Sequence, residues 1–374
     1  IEVKFTVDSI YIGLMTGTSA DSLDCAAVNF SKKEMNIVGL KNYDIPNVLK
    51  IKIQESTQAL ELDESLLKEL DINLGNFFSK SIEDFIKTLS LDKNQVSGIG
   101  SHGQTIKHEP NAENPYSLQI GDPQLISNNL GIKTVGQFRD DDILAGGQGA
   151  PISPIFHKEV FAQSGEKRLI VNIGGITNIS VISDQEIIGF DTGPGNCLMD
   201  SWCRKNLNQN YDDQGNWAKS GKVNTSLLDI MINDNYFKLE HPKSTGPDYF
   251  NESWLHNCIV EADQEMNAQD IQSTLAELTA LSLSNALEEI QDISDKVYFC
   301  GGGVHNLHLL ERISLKIKKT CLTTHNLGID PDYLEAICFA WLAKQRLDEI
   351  KFDMKDITGS KKAVHLGKIF LPVI

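Results

Sequence analysis

Glycine residues cluster beside hydroxyl, carboxylate and amide side chains at several points of the sequence. Three such groups stand out, at 16–24, at 172–178 together with 190–196, and at 300–306. Backbone N–H groups that no side chain shields can surround phosphate oxygens, so these segments are typical of anion-binding sites. Each segment alone is equally compatible with a tight turn that needs glycine. Together, and beside predicted strand ends, they indicate a cradle for phosphate or nucleotide.

Two familiar nucleotide-binding motifs are absent. Gly221-Lys222 is followed by Val223 and lacks the earlier glycine of a P-loop, and no dinucleotide-binding glycine motif follows the first predicted strand. We therefore predict that separate turns hold a nucleotide, and that Asp21 and Asp24 hold Mg²⁺ through water. The predicted nucleotide-binding residues are Gly17, Thr18, Ser19, Ala20, Asp21, Ser22, Leu23, Asp24, Gly174, Gly175, Asn178, Gly193, Gly195, Asn196, Gly301, Gly302, Gly303 and Asn306.

The elements that must position these turns follow one order twice. A set of strands joined by short turns is followed by helical periodicity, first near the N-terminus and again from about residue 169. The predicted strands are 11–15, 23–30, 35–40 (after a turn at 31–34), 96–100, 116–120, 169–173, 176–182, 187–190 and 296–300. The predicted helices are 66–89, 123–130, 198–207, 225–232, 271–290 and one that begins after Pro331. This pattern predicts a mixed α/β chain of two similar halves.

Charge and composition exclude some classes of protein. The 374 residues include 34 Lys and Arg against 51 Asp and Glu, a net charge of −17, which argues against binding to nucleic acid or an anionic membrane. The seven cysteines form no Cys-x-x-Cys pair, and no apolar run is long enough to cross a bilayer. We therefore expect reduced thiols and a cytoplasmic protein. His305 and His308 have a metal-like spacing but no third ligand nearby, so zinc is not expected.

Eight motifs, taken in order, resemble the anhydro-N-acetylmuramic acid kinase family. They are Gly13-Leu-Met-Thr-Gly-Thr-Ser-Ala-Asp-Ser-Leu-Asp24, Ser101-His-Gly-Gln-Thr105, Leu118-Gln-Ile-Gly-Asp122, Gly146-Gly-Gln-Gly-Ala-Pro151, 172–178, Asp191-Thr-Gly-Pro-Gly-Asn196, Lys243-Ser-Thr-Gly246 and Thr274-Leu-Ala-Glu-Leu-Thr279. The resemblance runs from about residue 11 to 369. It implies an enzyme that opens the 1,6-anhydro ring of anhydro-N-acetylmuramic acid with water and phosphorylates O6 with ATP, during cell-wall recycling.

The resemblance also implies a fold. The family belongs to the superfamily of actin-like ATPases, sugar kinases and Hsp70, so two ribonuclease-H-like α/β domains are expected around a central cleft that holds ATP. We place the first domain at 1–135 with 346–374 and the second at 136–345. A homodimer is a further expectation from the family.

The family's motifs imply residue roles, and each role has a plainer alternative. Asp191 is the expected catalytic base, although it could instead be an Asx-turn residue that caps a helix at 197–207. Arg139 is the expected ligand of the substrate's lactyl carboxylate, or else a salt-bridge partner of the aspartates at 140–142. Glu335 is the expected acceptor for a sugar hydroxyl, or an acid placed by the helix dipole. The remaining expected substrate-binding residues are Gln104, Thr105 and His102, which could also be a core histidine.

The sequence departs from the family pattern at two positions that bear on these roles. Ser22 stands where the family usually has glycine, which bears on how closely the first turn approaches phosphate, and Gln137 replaces an aspartate. Two other functions remain open. One is an ordinary sugar or hexosamine kinase of the same superfamily, and the other is an actin-like nucleotide switch without sugar chemistry.

Overall fold

A computed structural model describes residues 9–30, 35–59, 62–288, 290 and 293–373, so the turn predicted at 31–34 lies outside the described residues. The strands within these residues are β1 Ile10–Thr16, β2 Ser22–Phe30, β3 Met35–Asp44, β4 Val96–Ser101, β5 Gln104–Glu109, β6 Tyr116–Ile120, β7 Thr134–Gly136, β8 Arg168–Ile173, β9 Ile176–Ile182, β10 Ile187–Pro194, β11 Lys296–Cys300, β12 Thr320–Thr323 and β13 Lys368–Phe370.

The α-helices lie singly or in groups between these strands. They are α1 Asn47–Gln58, α2 Glu64–Thr88, α3 Pro123–Leu130, α4 Asp140–Leu144, α5 Ser153–Phe161, α6 Cys197–Leu207, α7 Asn216–Ser220, α8 Thr225–Ile232, α9 Glu252–Ala262, α10 Ala268–Glu288, α11 Leu307–Ile317, α12 Leu334–Leu347 and α13 Lys355–Thr358. Among the described helices, none is long and apolar enough to cross a membrane.

The chain divides into two compact units. The first contains the described residues up to 149 together with Tyr333–Met354 and 360–373, and the second contains Ala150–Asp332 and Lys355–Gly359. The first unit has a six-stranded sheet in the order β3-β2-β1-β4-β7-β13, and β5 pairs with β6 in a separate hairpin. The second unit has a five-stranded sheet in the order β10-β9-β8-β11-β12.

The two main sheets repeat one topology. In each unit, three consecutive strands form an antiparallel meander, and the first of them also pairs in parallel with a later strand. A further parallel strand follows in each case, β7 beside β4 and β12 beside β11. This strand order and direction is the ribonuclease-H-like arrangement, found twice as in the actin-like ATPase superfamily. The predicted fold class is therefore confirmed.

The domain bounds differ from those predicted, because residues 136–149 and 333–345 belong to the first unit and Lys355–Gly359 belongs to the second. Helix α12 lies directly against the first sheet. A Cβ on Gly13 would lie 1.8 Å from the carbonyl oxygen of Ala336, and one on Gly100 would lie 2.0 Å from that of Phe339. Since only glycine allows this approach of helix to strand, the start of α12 is tied to β1 and β4. The Phe138 ring also packs on Phe339, with centroids 5.1 Å apart, which holds the segment before α4 in the same unit.

Each unit has its own apolar core. In the first, the face of α2 that carries Leu70, Leu74 and Phe78 packs with apolar residues of the sheet. Asp63 caps this helix by accepting hydrogen bonds from the backbone N–H groups of Ser65 and Leu66. In the second, alternate residues of β8 and β9 pack with α6, α8 and α10. Phe190 of β10 joins the same core, so its neighbour Asp191 faces the other side of the sheet.

Candidate active site

The first predicted nucleotide-binding turn joins β1 to β2 and is held by helix α1. Residues 17–21 form the turn, in which Ala20 has a left-handed backbone (φ 53°) and donates its N–H to the carbonyl of Gly17 at 3.1 Å. One turn apart on α1, Lys50 forms an ion pair with Asp21, and Gln54 donates to the carbonyl of Ser19 at 3.3 Å. The turn is therefore braced from one side, by two residues that carry no signal in the sequence.

The two acids predicted to hold Mg²⁺ have different surroundings. Asp21 is paired with Lys50, whereas Asp24 lies within β2 and accepts a hydrogen bond from Ser22 Oγ at 3.4 Å. No group of three or more His, Cys, Asp or Glu in the described ranges could hold a metal ion by itself. This donor set fits Mg²⁺, which commonly keeps several waters and uses one or two carboxylates together with substrate phosphates. Ser22, which replaces the family's glycine, thus contacts a predicted metal ligand.

A buried histidine and a half-buried arginine form the predicted sugar-binding cluster of the first unit. His102, only 4% exposed, follows β4, and its Nδ1 lies 2.8 Å from the carbonyl oxygen of Gly103. Because a carbonyl can only accept, Nδ1 carries the proton and Nε2 is an acceptor. Arg139 donates from Nη2 to that Nε2 at 2.9 Å and from Nη1 to the carbonyl of Gly149 at 2.8 Å. The histidine thus orients the guanidinium.

The charge state of His102 follows from the same geometry. Burial, and then the positive charge of Arg139, lower its pKa to about 3, although the bond to Gly103 opposes the shift. The imidazole is therefore neutral at physiological pH. A purely core role for His102 would explain its burial but not its contact with Arg139.

Glu335 and the hairpin of β5 and β6 complete this part of the first unit. Glu335 lies in the first turn of α12, four residues before Phe339, whose ring centroid is 4.7 Å from that of His102. Residues four apart share a helix face, so Glu335 lies on the face that packs against His102. Gln104 is 1% exposed, and among the described residues its Oε1 has no hydrogen-bond partner. Thr105 accepts a bond from Gln119 at 3.3 Å.

Asp191, the predicted base, lies in the edge strand β10 of the second unit and is 4% exposed. Its Oδ2 accepts the backbone N–H of Thr245 at 2.9 Å. Its own N–H donates to the carbonyl of Lys243 at 3.1 Å, and its carbonyl accepts the Tyr236 hydroxyl at 2.7 Å. The N-cap of α6 is Asn196 instead, so the capping role considered for Asp191 is wrong. The segment 236–245 therefore fixes both the backbone and the carboxylate of Asp191.

Two amides lie beside Asp191 in the sheet. Asn178 is opposite Asp191 in the pairing of β9 with β10, and Asn172 is opposite Asn178 in the pairing of β8 with β9. Residues in register on neighbouring strands point to one face, so the three side chains form a polar row. The Oδ1 of Asn178 is buried and has no hydrogen-bond partner among the described residues. A carboxylate with neighbouring amides can orient a water molecule and accept its proton.

The two glycine turns of the second unit are joined by backbone hydrogen bonds. The N–H groups of Gly195 and Asn196 donate to the carbonyls of Gly175 and Gly174, both at 2.8 Å. A Cβ on Gly195 would lie 2.4 Å from the carbonyl oxygen of Gly174, so this contact requires glycine. Gly193, with φ 144°, has a backbone that other residues rarely adopt.

The third glycine turn follows β11. A Cβ on Gly301 would lie 2.3 Å from Asn172 Oδ1, and one on Gly303 would lie 2.3 Å from Ile173 Cγ2, so both are required by packing. Asn306 caps α11, since its Oδ1 accepts the N–H of Leu309 at 3.0 Å. That oxygen thus already has a structural role.

One glycine in each predicted turn has no structural requirement. A Cβ on Gly17 or Gly302 would meet no described atom within 4 Å, and one on Gly174 would meet none closer than 3.6 Å. None of the three has a left-handed backbone. Neither packing nor conformation explains glycine at these positions, and bare backbone of this kind can be approached closely by a phosphate or nucleoside.

The two histidines with metal-like spacing contact different groups. His305 Nε2 lies 2.9 Å from the carboxylate of Asp332, while His308 Nε2 accepts from Arg312 Nε at 2.9 Å. The two Nε2 atoms are therefore not directed to a shared metal position.

Sequence reasoning missed the residues that hold Asp191. Lys243 and Thr245 lie in the Lys243-Ser-Thr-Gly246 motif, whose residue types do not indicate a contact with Asp191, and Tyr236 has no signal beyond its type. Their contacts with Asp191 cross about 45 to 54 residues of sequence and exist only in the folded unit.

The comparisons with known proteins agree on one family. The model of the family "AnmK: Anhydro-N-acetylmuramic acid kinase" matches residues 9–372. Curated relatives of that name are 42% identical in Coxiella burnetii, over 96% of this chain and 97% of the relative, and 41% identical in Pasteurella multocida, over 96% of each. Another, from Saccharophagus degradans, is 40% identical over 97% of this chain and 99% of the relative.

Among solved structures, the activator of the 2-hydroxyisocaproyl-CoA dehydratase from Clostridium difficile with bound ADPNP matches with a TM-score of 0.44 and 11% identity, over 92% of this chain and 99% of that one. This similarity is too low to bear on fold or function. The near-complete family match and the identities of about 40% suffice, and the chain belongs to the anhydro-N-acetylmuramic acid kinase family of enzymes.

Proposed function

We propose that this protein uses ATP and water to convert 1,6-anhydro-N-acetylmuramic acid into N-acetylmuramic acid 6-phosphate, a step of peptidoglycan recycling. The observation that carries the proposal is the intact Asp191-Thr-Gly-Pro-Gly-Asn196 motif, with its aspartate buried and held in place, in a chain that matches the family along its length.

The chemistry needs a base that acts on water. The substrate's O6 is bonded to C1 and carries no proton, so a base cannot activate it directly. In the proposed reaction Asp191 takes a proton from water, the water oxygen bonds to C1, the C1–O6 bond breaks, and O6 bonds to the γ-phosphorus as ADP leaves. Asp191 accepts a hydrogen bond from the N–H of Thr245 and donates its own N–H to the carbonyl of Lys243. These bonds support the role of base, because a base acts only when it is correctly positioned.

The turns that contain Gly17, Gly174 and Gly302 are proposed to bind ATP, with bare backbone toward its phosphates and nucleoside. Asp21 and Asp24 are the residues that would hold Mg²⁺ through water, and Mg²⁺ neutralises phosphate charge and orients the transferred group. Lys50 must release Asp21, at least in part, if that carboxylate takes up this role.

Arg139 is proposed to bind the lactyl carboxylate, which distinguishes a muramic acid from other amino sugars. The hydrogen bonds to Gly149 and His102 support this proposal, because they fix the planar guanidinium before the ligand arrives. Glu335 is proposed to accept a bond from a sugar hydroxyl.

The test measures ADP release with anhydro-N-acetylmuramic acid, N-acetylmuramic acid and N-acetylglucosamine in turn. We expect ADP only with the anhydro sugar, and ¹⁸O from labelled water at C1 but not in the phosphate. Asp191→Asn should abolish turnover, while Asp263→Asn, at an exposed helix end of the same unit, should not. Turnover of free N-acetylglucosamine would indicate an ordinary hexosamine kinase, and ATP hydrolysis indifferent to sugar would indicate a nucleotide switch.

A further inference from the structure

A lysine of helix α1 lies at the turn that joins β1 to β2. Two residues separate β3 from this helix, and the N–H of one of them, Ile45, donates to the carbonyl of Asp21 at 3.0 Å. Within the helix, Lys50 forms an ion pair with the Asp21 carboxylate, and Gln54 donates to the carbonyl of Ser19 at 3.3 Å. Contacts before and after Lys50 therefore hold its part of the helix at the turn.

This lysine supplies a positive charge that the turn itself lacks. Residues 9–30, which contain β1, the turn and β2, include no lysine, arginine or histidine. The Lys50 side chain is only 13% exposed. Lys52, two residues further along, is 34% exposed and pairs instead with Glu69 of α2 at 2.7 Å. Because residues two apart lie on different faces of a helix, α1 directs Lys50 to the turn and Lys52 away from it.

The Lys50 ammonium can bind more than one oxygen. It has three N–H donors, and the described residues account for one of them, through the bond to Asp21. The turn beside it is open, since a Cβ on Gly17 would meet no described atom within 4 Å. Donors therefore remain for the oxygen atoms of a ligand at this turn.

The charges at the turn indicate which ligand this is. In the proposed function Asp21 helps to hold Mg²⁺, an ion that bridges oxygens of the β- and γ-phosphates of ATP. When the Asp21 carboxylate turns to the metal ion, the mostly covered Lys50 ammonium needs another anion, because an unpaired charge away from water is costly. The phosphate oxygens that share the Mg²⁺ with Asp21 are anions at the same turn.

We propose that Lys50 binds the β- or γ-phosphate of ATP, and that its ion pair with Asp21 belongs to the nucleotide-free protein. Lys50 thus compensates a carboxylate in one state and a phosphate in the other. This inference rests on the proposed function, in which the turn binds ATP, and it adds a phosphate ligand from outside the glycine motifs.

The test measures the Kd of a non-hydrolysable ATP analogue, adenylyl imidodiphosphate, with Mg²⁺ and without sugar, by isothermal titration calorimetry. AMP, which has no β- or γ-phosphate, is measured by displacement of the analogue. We expect Lys50→Met to weaken binding of the analogue about 10- to 100-fold and to leave AMP unchanged, because a hydrogen bond between charged groups is lost. Lys50→Arg should keep most of the affinity, and the matched control Lys52→Met should keep all of it.

A double variant separates a phosphate contact from the loss of a partner for Asp21. In Lys50→Met the Asp21 carboxylate is left uncompensated and would itself repel phosphate. We therefore compare Asp21→Asn with Asp21→Asn/Lys50→Met, and expect the double variant to bind the analogue at least about tenfold more weakly. The double variant removes both charges of the ion pair, so it keeps the test decisive if a thermal melt shows that Lys50→Met alone does not fold.

Equal affinities of Asp21→Asn and the double variant would show that Lys50 only compensates Asp21, and would overturn the proposal. An equal loss of affinity for AMP, or the same loss in Lys52→Met, would overturn it as well. Either result, with normal turnover of the anhydro sugar by the wild type, would leave the proposed function intact. If the wild type binds the analogue but does not turn over the sugar, the proposed function fails, and the binding comparison still decides the role of Lys50.

Discussion

Replacing His102 with phenylalanine tests whether this histidine orients Arg139 for the substrate. Phenylalanine keeps a flat ring against Phe339 but removes the Nε2 atom that accepts from Arg139 at 2.9 Å. The Gly103 carbonyl loses one donor and keeps another, the Thr16 hydroxyl at 3.1 Å. The main loss is thus a hydrogen bond to a buried charged donor, of about 1.5–3 kcal/mol. We expect the KM for the anhydro sugar to rise about 10- to 100-fold, with the KM for ATP unchanged.

The pH dependence gives a second readout on the unmodified enzyme. Since the pKa of His102 is about 3, about one molecule in a hundred is protonated at pH 5. Protonation would remove the acceptor and add a positive charge beside Arg139. We therefore expect the sugar KM to show no step that belongs to His102 between pH 5.5 and about 8.

Steady-state ADP release over a range of sugar and ATP concentrations measures these effects. His256→Phe, at an exposed position of α9, is the matched control, and a thermal melt verifies that both variants fold. An unchanged sugar KM in His102→Phe, together with a raised KM in Arg139→Lys, would show that His102 is only a core residue. A histidine titration near pH 6.5 in the wild-type sugar KM, lost in His102→Phe, would refute the neutral state.

Three further predictions follow from single contacts. Gly302→Ala should raise the KM for ATP with little change in thermal stability, because its Cβ meets open space, whereas Gly301→Ala should lower the melting temperature, because its Cβ clashes and its φ is 77°. Tyr236→Phe should lower kcat about tenfold at an unchanged sugar KM, since only the hydrogen bond to the Asp191 carbonyl is lost. If kcat and the affinity for the sugar were lost to the same extent, the result would argue against a role of Tyr236 in positioning Asp191. Burial lowers the pKa of His157 to about 3. As the pH falls from 7 to 5, His157 is therefore protonated in the unfolded chain but not in the folded one, and the free energy of unfolding should fall by about 2 kcal/mol. Denaturant titrations should find that share of the pH dependence missing in His157→Gln.

Local signals predicted much of the fold. The structure places α8 at Thr225–Ile232, as expected from the sequence, and α6 at Cys197–Leu207, one residue longer. The two meanders were predicted from strand runs joined by short turns, and their repetition gave the fold class. Helix α1 was missed because its apolar residues do not form one buried face: Ile53 is buried, whereas Val48 and Ile51 are exposed.

The domain boundary depended on contacts that no local pattern reveals. The sequence of α12 predicts an apolar helix but not the unit to which it belongs. The helix belongs to the first unit because it packs against the bare backbone of Gly13 and Gly100, more than two hundred residues earlier. These two glycines serve the packing of the helix on the sheet. The contacts that an added Cβ would make also distinguish the glycines predicted to bind phosphate. Gly195 and Gly301 are explained by close protein contacts, whereas Gly17 and Gly302 are not.

The predicted site residues were found by type and motif, but what makes them useful is the set of groups that hold them. Arg139 is fixed by His102, which precedes it by 37 residues, and Asp191 by a segment that follows it by about 50. A negatively charged protein that binds two anionic substrates must overcome its own average field at close range. Prearranged donors do this without a large positive surface, because their orientation is already fixed by folding when the ligand arrives. In the proposed site, the bare amides of the glycine turns and the half-buried guanidinium of Arg139 would be such donors. The net charge of −17 is therefore compatible with these substrates. Mutation of the residues that orient the donors is as informative as mutation of the donors themselves.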